Sequence, residues 1–357
     1  MPTEVTLIHT DLQPGRRSGH RMVATATKIF LFGGYRPVDV LYKEIWEYDI
    51  ITNTWSMLET DGDPPNCVAS ASMIIDGDTL MVFGGSGRMF VYATIQKRIN
   101  AFMHEKIWRK IQCKNATPSP RYGQSMIKGN DGYIYIFGGT TGLTFHDDLY
   151  RFRRKDYVFE RMPHVVNTPS ERYRHEVVGD EECFYILGGA TLGSYMSFEE
   201  WKSHKCIPSI SFGIYMCGGF NERTAFDDFW VLDVINFQWS KLDITLPDAM
   251  FFHAIALQRS LRSDNSSGCL FIHGGCIPND ETREVTRSSS FLRCWLTVPS
   301  LQECTVNSIT RAIRTNFHTP ATKSMLQLHL PNHLIGHFNK AWHMYQGKAR
   351  WKEYETH

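Results

Sequence analysis

Six times along the chain a short apolar run ends in a pair of glycines. The runs are Ile29-Phe30-Leu31-Phe32, Leu80-Met81-Val82-Phe83, Tyr133-Ile134-Tyr135-Ile136-Phe137, Phe184-Tyr185-Ile186-Leu187, Ile214-Tyr215-Met216-Cys217 and Leu270-Phe271-Ile272-His273. The pairs that close them are Gly33-Gly34, Gly84-Gly85, Gly138-Gly139, Gly188-Gly189, Gly218-Gly219 and Gly274-Gly275. With 27 glycines in 357 residues, chance gives about two such pairs. Short β-branched and aromatic runs closed by glycine predict buried strands rather than helices. Glycine supplies a positive φ there and lets a neighbouring backbone or ring approach.

More of the unit recurs in register. About 20 residues after most pairs stands an aromatic: Trp55, Trp108, Phe159, Trp239 and Trp295. Seven residues before three of these lies another apolar position, Tyr48, Phe152 or Leu232. Upstream, several units open on a polar motif: Arg17-Ser18-Gly19-His20, Arg121-Tyr122-Gly123-Gln124 and Arg172-Tyr173-Arg174-His175, with Phe251-Phe252-His253 as a weaker copy. Four short strands recurring every 50 or so residues predict the blade of a β-propeller. His20, His175 and His253 hold the same place in separate units, so packing suits them better than metal ligation, which needs converging ligands.

The intervals between successive glycine pairs are 51, 54, 50, 30 and 56 residues. The fourth is short, and Thr191 to Gly213 holds only Trp201 and no Arg-x-x-His start. A truncated blade and a segment absent from this gene product both account for it. The last unit reaches Trp295 with little room for a fourth strand, while Val5-Thr6-Leu7-Ile8 is a strand without a unit of its own. Residues 1–11 are therefore expected to complete the last blade and remove its open edge.

After Val298 the period changes. Ser300-Leu301-Gln302-Glu303 has the form of a capping box, and Leu301, Thr305, Ile309 and Ile313 recur every fourth residue, as on one helix face. Thr319-Pro320 and Pro331 read as further helix starts, followed by Met325, Leu326, Leu328 and Leu330, then by Leu334, Ile335 and Phe338. Three short helices cannot bury a core alone and require the propeller or a partner. The expected organisation is a closing strand (1–11), a six-bladed all-β propeller shortened between its fourth and fifth blades (12–297), a small α-helical box (298–340) and a tail (341–357).

Composition narrows the function. Lys plus Arg is 38 and Asp plus Glu is 37, so nucleic acid and anionic membrane, which favour a basic excess, are not expected partners. No apolar run approaches the roughly 20 residues of a membrane helix. Met1 to Thr10 has no apolar h-region, so no signal peptide is expected. The nine cysteines are irregularly spaced and form no CxxC, which argues for a reducing compartment, cytosol or nucleus, and against a zinc knuckle. No H-E-x-x-H, G-x-S-x-G or P-loop is present, so a non-catalytic protein without cofactor or metal is expected.

The glycine pairs and distal tryptophans resemble the kelch-repeat family over roughly residues 12 to 297. Ser300, Leu301, Thr305 and Ile309 are similar to the elongin-binding box of cullin-RING ubiquitin-ligase receptors, although that family usually has Cys, Ser or Ala where Thr305 stands. The resemblance implies a cullin-2 substrate receptor. Its box would bind elongin C with elongin B, cullin-2 and the RING subunit, and its propeller would bind chain ends bearing a C-terminal glycine. The proline slot of a cullin box falls on His318, so the choice of cullin rests on overall resemblance. An amphipathic helix capping the propeller base is the plainer reading of the box, and a cytoskeletal or signalling scaffold without a ligase role the alternative function.

A free carboxylate calls for arginine and hydroxyl donors at one mouth of the propeller. Kelch propellers bring the start of the first strand and the residue past the glycine pair to that mouth. The first group nominates Ser18, Arg121, Tyr122, Arg172, Tyr173 and Phe251; the second, Tyr35, Ser86, Thr140 and Phe220. Arg121 and Arg172 are the expected carboxylate readers, with Ser18 as an added donor. Bridging of blades through backbone carbonyls is their competing role, and Arg174, one position past the rim, is expected to be structural.

Overall fold

The computed structural model describes residues 4–37, 40–66, 68–87, 99–102, 106–115, 117–164, 169–179, 183–191, 194–195, 214–221, 224–259, 268–279, 282, 284–296 and 308. The chain is all-β up to Leu296. Each glycine pair belongs to one antiparallel sheet, numbered I to VI here in chain order. Sheet I runs Ser18–Ala24, Lys28–Arg36, Ile45–Asp49 and Thr54–Leu58, with Val40–Leu41 beside its second strand. Sheet II runs Ser72–Asp76, Thr79–Phe83, Ile99–Phe102 and Ile107–Ile111, with Asp61–Gly62 parallel to the last. Sheet III runs Ser125–Lys128, Ile134–Phe137, Leu149–Arg153 and Val158–Arg161. Sheet IV holds Glu176–Gly179 and Phe184–Leu187, and sheet V holds Ile214–Phe220, Ala225–Asp233 and Gln238–Thr245. Sheet VI holds Ala254–Arg259, Gly268–His273 and Phe291–Trp295.

The N-terminal strand Thr6–Leu7 lies on the outer edge of sheet VI, with Thr6 opposite Arg293 and Leu7 opposite Leu292. Ile8 continues the pairing, donating its N–H to Phe291 O at 2.8 Å, and its side chain is buried against Phe291 and Ile29. Sheets IV and V show fewer strands than their neighbours among the described residues. The interval between them falls mostly on residues 196–213, which lie outside the described set, as do Ser300, Leu301, Thr305, Ile309 and the rest of the expected helical box apart from Ser308.

The apolar faces pack sheet on sheet in a propeller-like succession. Met22, Ile29, Leu31, Tyr48 and Trp55 of sheet I meet Ala254, Ala256, Cys269, Phe271 and Phe291 of sheet VI. Phe32 and Ile45 meet Met73, Leu80, Val82 and Trp108 of sheet II. Met81 and Phe83 meet Met126, Ile134, Ile136 and Phe152 of sheet III. Cys217 and Phe229 of sheet V meet Leu270, Ile272, Leu292 and Cys294 of sheet VI. Burying such faces on both sides makes each sheet depend on its neighbours.

Backbone hydrogen bonds fix the succession. The second glycine of five of the six pairs donates to the carbonyl that opens the next sheet: Gly34 to Val68 (2.9 Å), Gly85 to Arg121 (2.9 Å), Gly139 to Arg172 (2.8 Å), Gly219 to Met250 (2.9 Å) and Gly275 to Arg17 (3.0 Å). The last bond joins sheet VI to sheet I. The first glycine makes the approach possible. A Cβ on Gly33, at φ 76°, would lie 2.4 Å from Val68 O, so any side chain would force the sheets apart.

A second set of bonds links the turns two residues further on. Ser70 N–H donates to Gly19 O (2.7 Å), Gly123 to Ser70 O (2.8 Å), Arg174 to Gly123 O (2.6 Å) and Gly19 to Phe252 O (3.4 Å). All five residues have φ between 54° and 67°. Below them, Arg21 ion-pairs with Glu176 of sheet IV and donates Nε to Ala71 O at 2.9 Å.

The repeated histidines fill the space beneath the glycines. His20 Nε2 meets His273 Nδ1 at 3.1 Å, and His175 Nε2 meets Ser125 Oγ at 2.7 Å. Burial holds His175 and His273 down to about 3 and His253 to about 4. His20 is lowered too, by burial and then by His273, Arg17, His253 and Arg21. These imidazoles stay neutral in the fold and protonate below about pH 6.5 in the unfolded chain. Stability should therefore be full above about pH 6.5 and fall as pH drops toward the folded values. Each imidazole contributes a slope of about 1.4 kcal/mol per pH unit through that window. Urea midpoints measured at pH 7.5 and pH 5.5 should differ by this effect, and His175→Gln should reduce it, because Gln124 holds the same repeat position in sheet III. An unchanged midpoint would contradict the assignment. Deleting residues 4–9 should expose the edge of sheet VI and produce aggregation or a large drop in melting temperature. A monomer that melts at the parent temperature would count against a closing role for this strand.

Candidate functional site

The glycine pairs gather the sequence-nominated residues at one end of the sheets. Ser18 lies opposite Tyr35, Ala69 opposite Ser86, Tyr122 opposite Thr140, Tyr173 opposite Ala190 and Phe251 opposite Cys276. Location and availability differ, however. Ser18, Ser86, Arg121 and Thr140 are buried to 1% exposure or less. Thr140 Oγ1 donates to Thr144 O at 2.9 Å and accepts from Gly142 N–H at 3.0 Å, pinning its own loop. Ser86 exchanges backbone bonds with Ala69 at 2.8 and 3.2 Å.

The arginines expected to read a carboxylate are struts. Arg121 donates Nε to Ser119 O (3.2 Å), Nη1 to Gly138 O (2.9 Å) and Nη2 to Ser119 Oγ (2.9 Å) and Asp148 Oδ2 (3.2 Å). Arg17 repeats the pattern on Gly15 O, Gly33 O and Glu44. Arg172 repeats its backbone part on Ser170 O and Gly188 O and adds Ser170 Oγ. In both Arg17 and Arg121 the acid stands 27 residues downstream. The corresponding residue for Arg172 is Glu199, outside the described set. Each guanidinium thus ties its loop to the carbonyl of the first glycine. Arg121 and Arg172 were expected to read a carboxylate or to bridge blades; the guanidinium bonds named above instead stay within one sheet, tying the motif to the carbonyl of the first glycine.

Two other arginines occupy the mouth. Arg174, at φ 56°, stands in the turn column where Gly19 and Gly123 sit, and its guanidinium lies 3.8 Å over the Phe252 ring. Phe252 is itself at φ 57°. A bulky side chain in this region costs about 1–2 kcal/mol relative to glycine. Arg287, on the hairpin formed by Cys276–Pro278 and Val285–Arg287, donates Nε to Ser18 Oγ and Nη2 to Tyr35 Oη, both at 3.0 Å. No carboxylate pairs with Arg174 or Arg287 among the described residues. Burial raises the Cys276 thiol, and Arg287 and Arg174 both oppose the rise, which places the two cations around one spot.

Aromatic rings wall the same mouth. Phe220 stacks on Phe251 with centroids 4.8 Å apart, and Phe251 meets Phe252 edge-on at 4.8 Å. Tyr173 meets Phe145 at 5.3 Å and Tyr122 at 6.2 Å. The Tyr122 hydroxyl is pushed up by burial and by Tyr173, with Arg174 opposing. Arg174 over Phe252 and Arg287 over Tyr35 thus combine cations with aromatic rings at this end of the sheets. No group of three or more His, Cys, Asp or Glu residues suited to a metal occurs among the described residues.

Of the nominated residues, Tyr35, Tyr122, Tyr173, Phe220 and Phe251 belong to this wall, and Ser18 serves it by accepting from Arg287. Arg174, expected to be structural, and Arg287, which was not nominated, stand at the same end. Arg174 shares its turn position with Gly19, Ser70, Gly123 and Phe252 and is the one cation among them. The long loop between Gly275 and Phe291 was the signal for Arg287.

The repeat fold is matched by sequence comparison. A family model described as the KLHDC2/KLHL20/DRC7 Kelch-repeats domain covers residues 4–195, and the chain belongs to the kelch-repeat family. Within it, the chain is similar to Kelch domain-containing protein 10 of Xenopus laevis, at 32% identity over 90% of this chain and 85% of that protein. The Homo sapiens protein of that name is 33% identical over 81% of this chain and 72% of its own length. The Drosophila melanogaster homolog is 26% identical over 83% and 58%.

Removing a buried strut should act on folding. Arg121→Ala leaves Asp148 and Gly138 O unpaired and should lower stability by roughly 3–5 kcal/mol in urea unfolding. Arg174→Gly restores the residue type found at Gly19 and Gly123 and should change stability by about 1 kcal/mol or less, because relief of αL strain offsets the lost ring contact. Equal losses in the two variants would contradict the division between strut and mouth.

Proposed function

We propose that sheets I to VI are the six blades of a kelch propeller whose glycine-pair mouth binds the C-terminal end of a partner chain. On this reading the protein is the substrate-recognition subunit of a cullin-2 RING ubiquitin ligase. Ser300, Leu301, Thr305 and Ile309 recruit elongin C with elongin B, and the propeller selects substrates by a glycine-ended C-terminus. The single observation that carries the ligand reading is the pair Arg174 and Arg287, two cations at one aromatic mouth that pair with no carboxylate of the described chain. A peptide carboxylate supplies that partner, and a terminal glycine lets the end pass between rings without a clash. Arg121 and Arg172 have no part in this contact.

Binding of a glycine-ended peptide should weaken roughly 10- to 150-fold in Arg174→Gly or Arg287→Gln, the range that corresponds to loss of a charged hydrogen bond. Amidating the peptide terminus should cost a comparable factor, and the two losses should not add, because they remove the same contact. If amidation leaves calorimetric affinity unchanged, the mouth reads an internal motif or serves a scaffold instead. The ligase half is tested separately. Leu301→Ala with Thr305→Phe should abolish co-purification of elongin C and leave peptide binding intact, since truncating a buried leucine costs about 2–5 kcal/mol. Undiminished elongin binding by that variant would remove the adaptor role.

A further inference from the structure

The end of the sheets opposite the glycine pairs carries an uncovered apolar turn. In sheet V the segment between Asp233 and Gln238 presents Ile235 at 62% and Phe237 at 44% exposure. Phe237 has φ 51°. The equivalent residue of sheet I is Asn53, at φ 55°, which tolerates the left-handed region and accepts a bond from Tyr48 Oη at 2.9 Å. Sheet III also carries an aromatic there, Tyr157 at φ 60° and 43% exposure, so the distinctive feature of sheet V is Ile235 beside Phe237, since the sheet I equivalent of Ile235 is the buried Ile51; two adjoining exposed apolar side chains make sense where something covers them.

The chain itself arrives at the same place. Trp295 pairs with Cys269, at the end of its strand remote from Gly274, and Leu296 N–H donates to Gly268 O at 3.0 Å. Leu296 is buried in the apolar cluster that sheets V and VI share. Residues 297–357 therefore leave the sheets next to sheet V, on the side of the Asp233–Gln238 turn. The turn itself is acidic. Asp233 is exposed there, while Asp227, Asp243 and Asp248 are exposed toward the glycine-pair end. The stretch 298–340 carries Arg311, Arg314, Lys323 and Lys340 against the single acid Glu303.

We propose that segment 298–340 of this chain docks on the Asp233–Gln238 turn of sheet V, with apolar positions from Met325 to Phe338 covering Ile235 and Phe237. This docking goes beyond the adaptor reading and does not depend on it, because the Leu301, Thr305, Ile309 stripe is left free. It would fix the direction in which the C-terminal segment projects from the propeller.

Hydrogen exchange on the full-length chain tests it. The variant Ile235→Ser/Phe237→Asn places at 237 the residue that sheet I uses, so the turn remains compatible with its backbone. Peptides within 325–338 should exchange on the order of tenfold faster than in the wild type, while peptides from Phe229–Leu232 and Gly268–His273 keep their rates. Raising salt should accelerate the same C-terminal peptides in the wild type, because part of the attraction is between exposed charges. Unchanged exchange within 325–338 overturns the proposal. So does a wild-type dimer that the variant dissolves with no change in those peptides, since a second copy would then be the occupant.

Discussion

The architecture depends on one close approach. At Gly33, Gly84, Gly138, Gly218 and Gly274 a backbone carbonyl of the following sheet occupies the place where a side chain would stand, and the next glycine donates to it. The consequence is a fixed spacing between neighbouring sheets at one end, which then decides how far apart their apolar faces lie. Methionines 22, 73 and 126 fill the gap behind it, each turned toward the preceding sheet. The arginine struts support the same point from within, because Arg17 and Arg121 bind the carbonyl of the first glycine and anchor to an acid. The guanidinium donors and the first-glycine carbonyl, which would be costly to bury alone, are thereby partnered at the tightest part of the structure.

That partnering explains how much of the molecule was legible in the sequence. The strands ending at Phe32, Phe83, Phe137, Leu187, Cys217 and His273 follow directly from apolar runs and glycine pairs, since their spacing reflects a backbone contact that admits no alternative residue. The role of Arg121 does not follow so directly. An arginine at the start of a first strand has the same spelling whether it faces a ligand or a carbonyl. The distinction lay in a pairing 27 residues away, Arg121 with Asp148 and Arg17 with Glu44, which becomes visible only once the strands are in register. Arg174 was obscured for the opposite reason. It breaks the column formed by Gly19 and Gly123, and a departure from a repeat carries less weight in pattern reading than adherence to it.

On the proposed function, stability and recognition are divided between adjacent residues of one motif. In Arg172-Tyr173-Arg174-His175 the first and fourth side chains point into the sheet contacts, the second joins the aromatic wall, and the third rides on a strained turn over Phe252. The turn conformation is imposed by the hydrogen bond from Arg174 N–H to Gly123 O, so the guanidinium is held in place by the same network that closes the propeller-like succession. A mouth assembled this way is preorganised, because its cation is presented by the scaffold rather than by a free loop.

The pairing of Thr6–Leu7 with Phe291–Trp295 also sets an order of events during synthesis. The first strand leaves the ribosome early, and its partner follows almost 290 residues later, a delay of about 15–60 s at ordinary elongation rates. Sheets I, II and III can each assemble from contiguous sequence in that time. Sheet VI, and the bond from Gly275 to Arg17 that joins it to sheet I, must wait until Gly268–Trp295 has been made. Until then sheet I has one apolar face without its neighbour, and Met22, Leu31 and Trp55 are the surface on which a nascent-chain chaperone would find purchase.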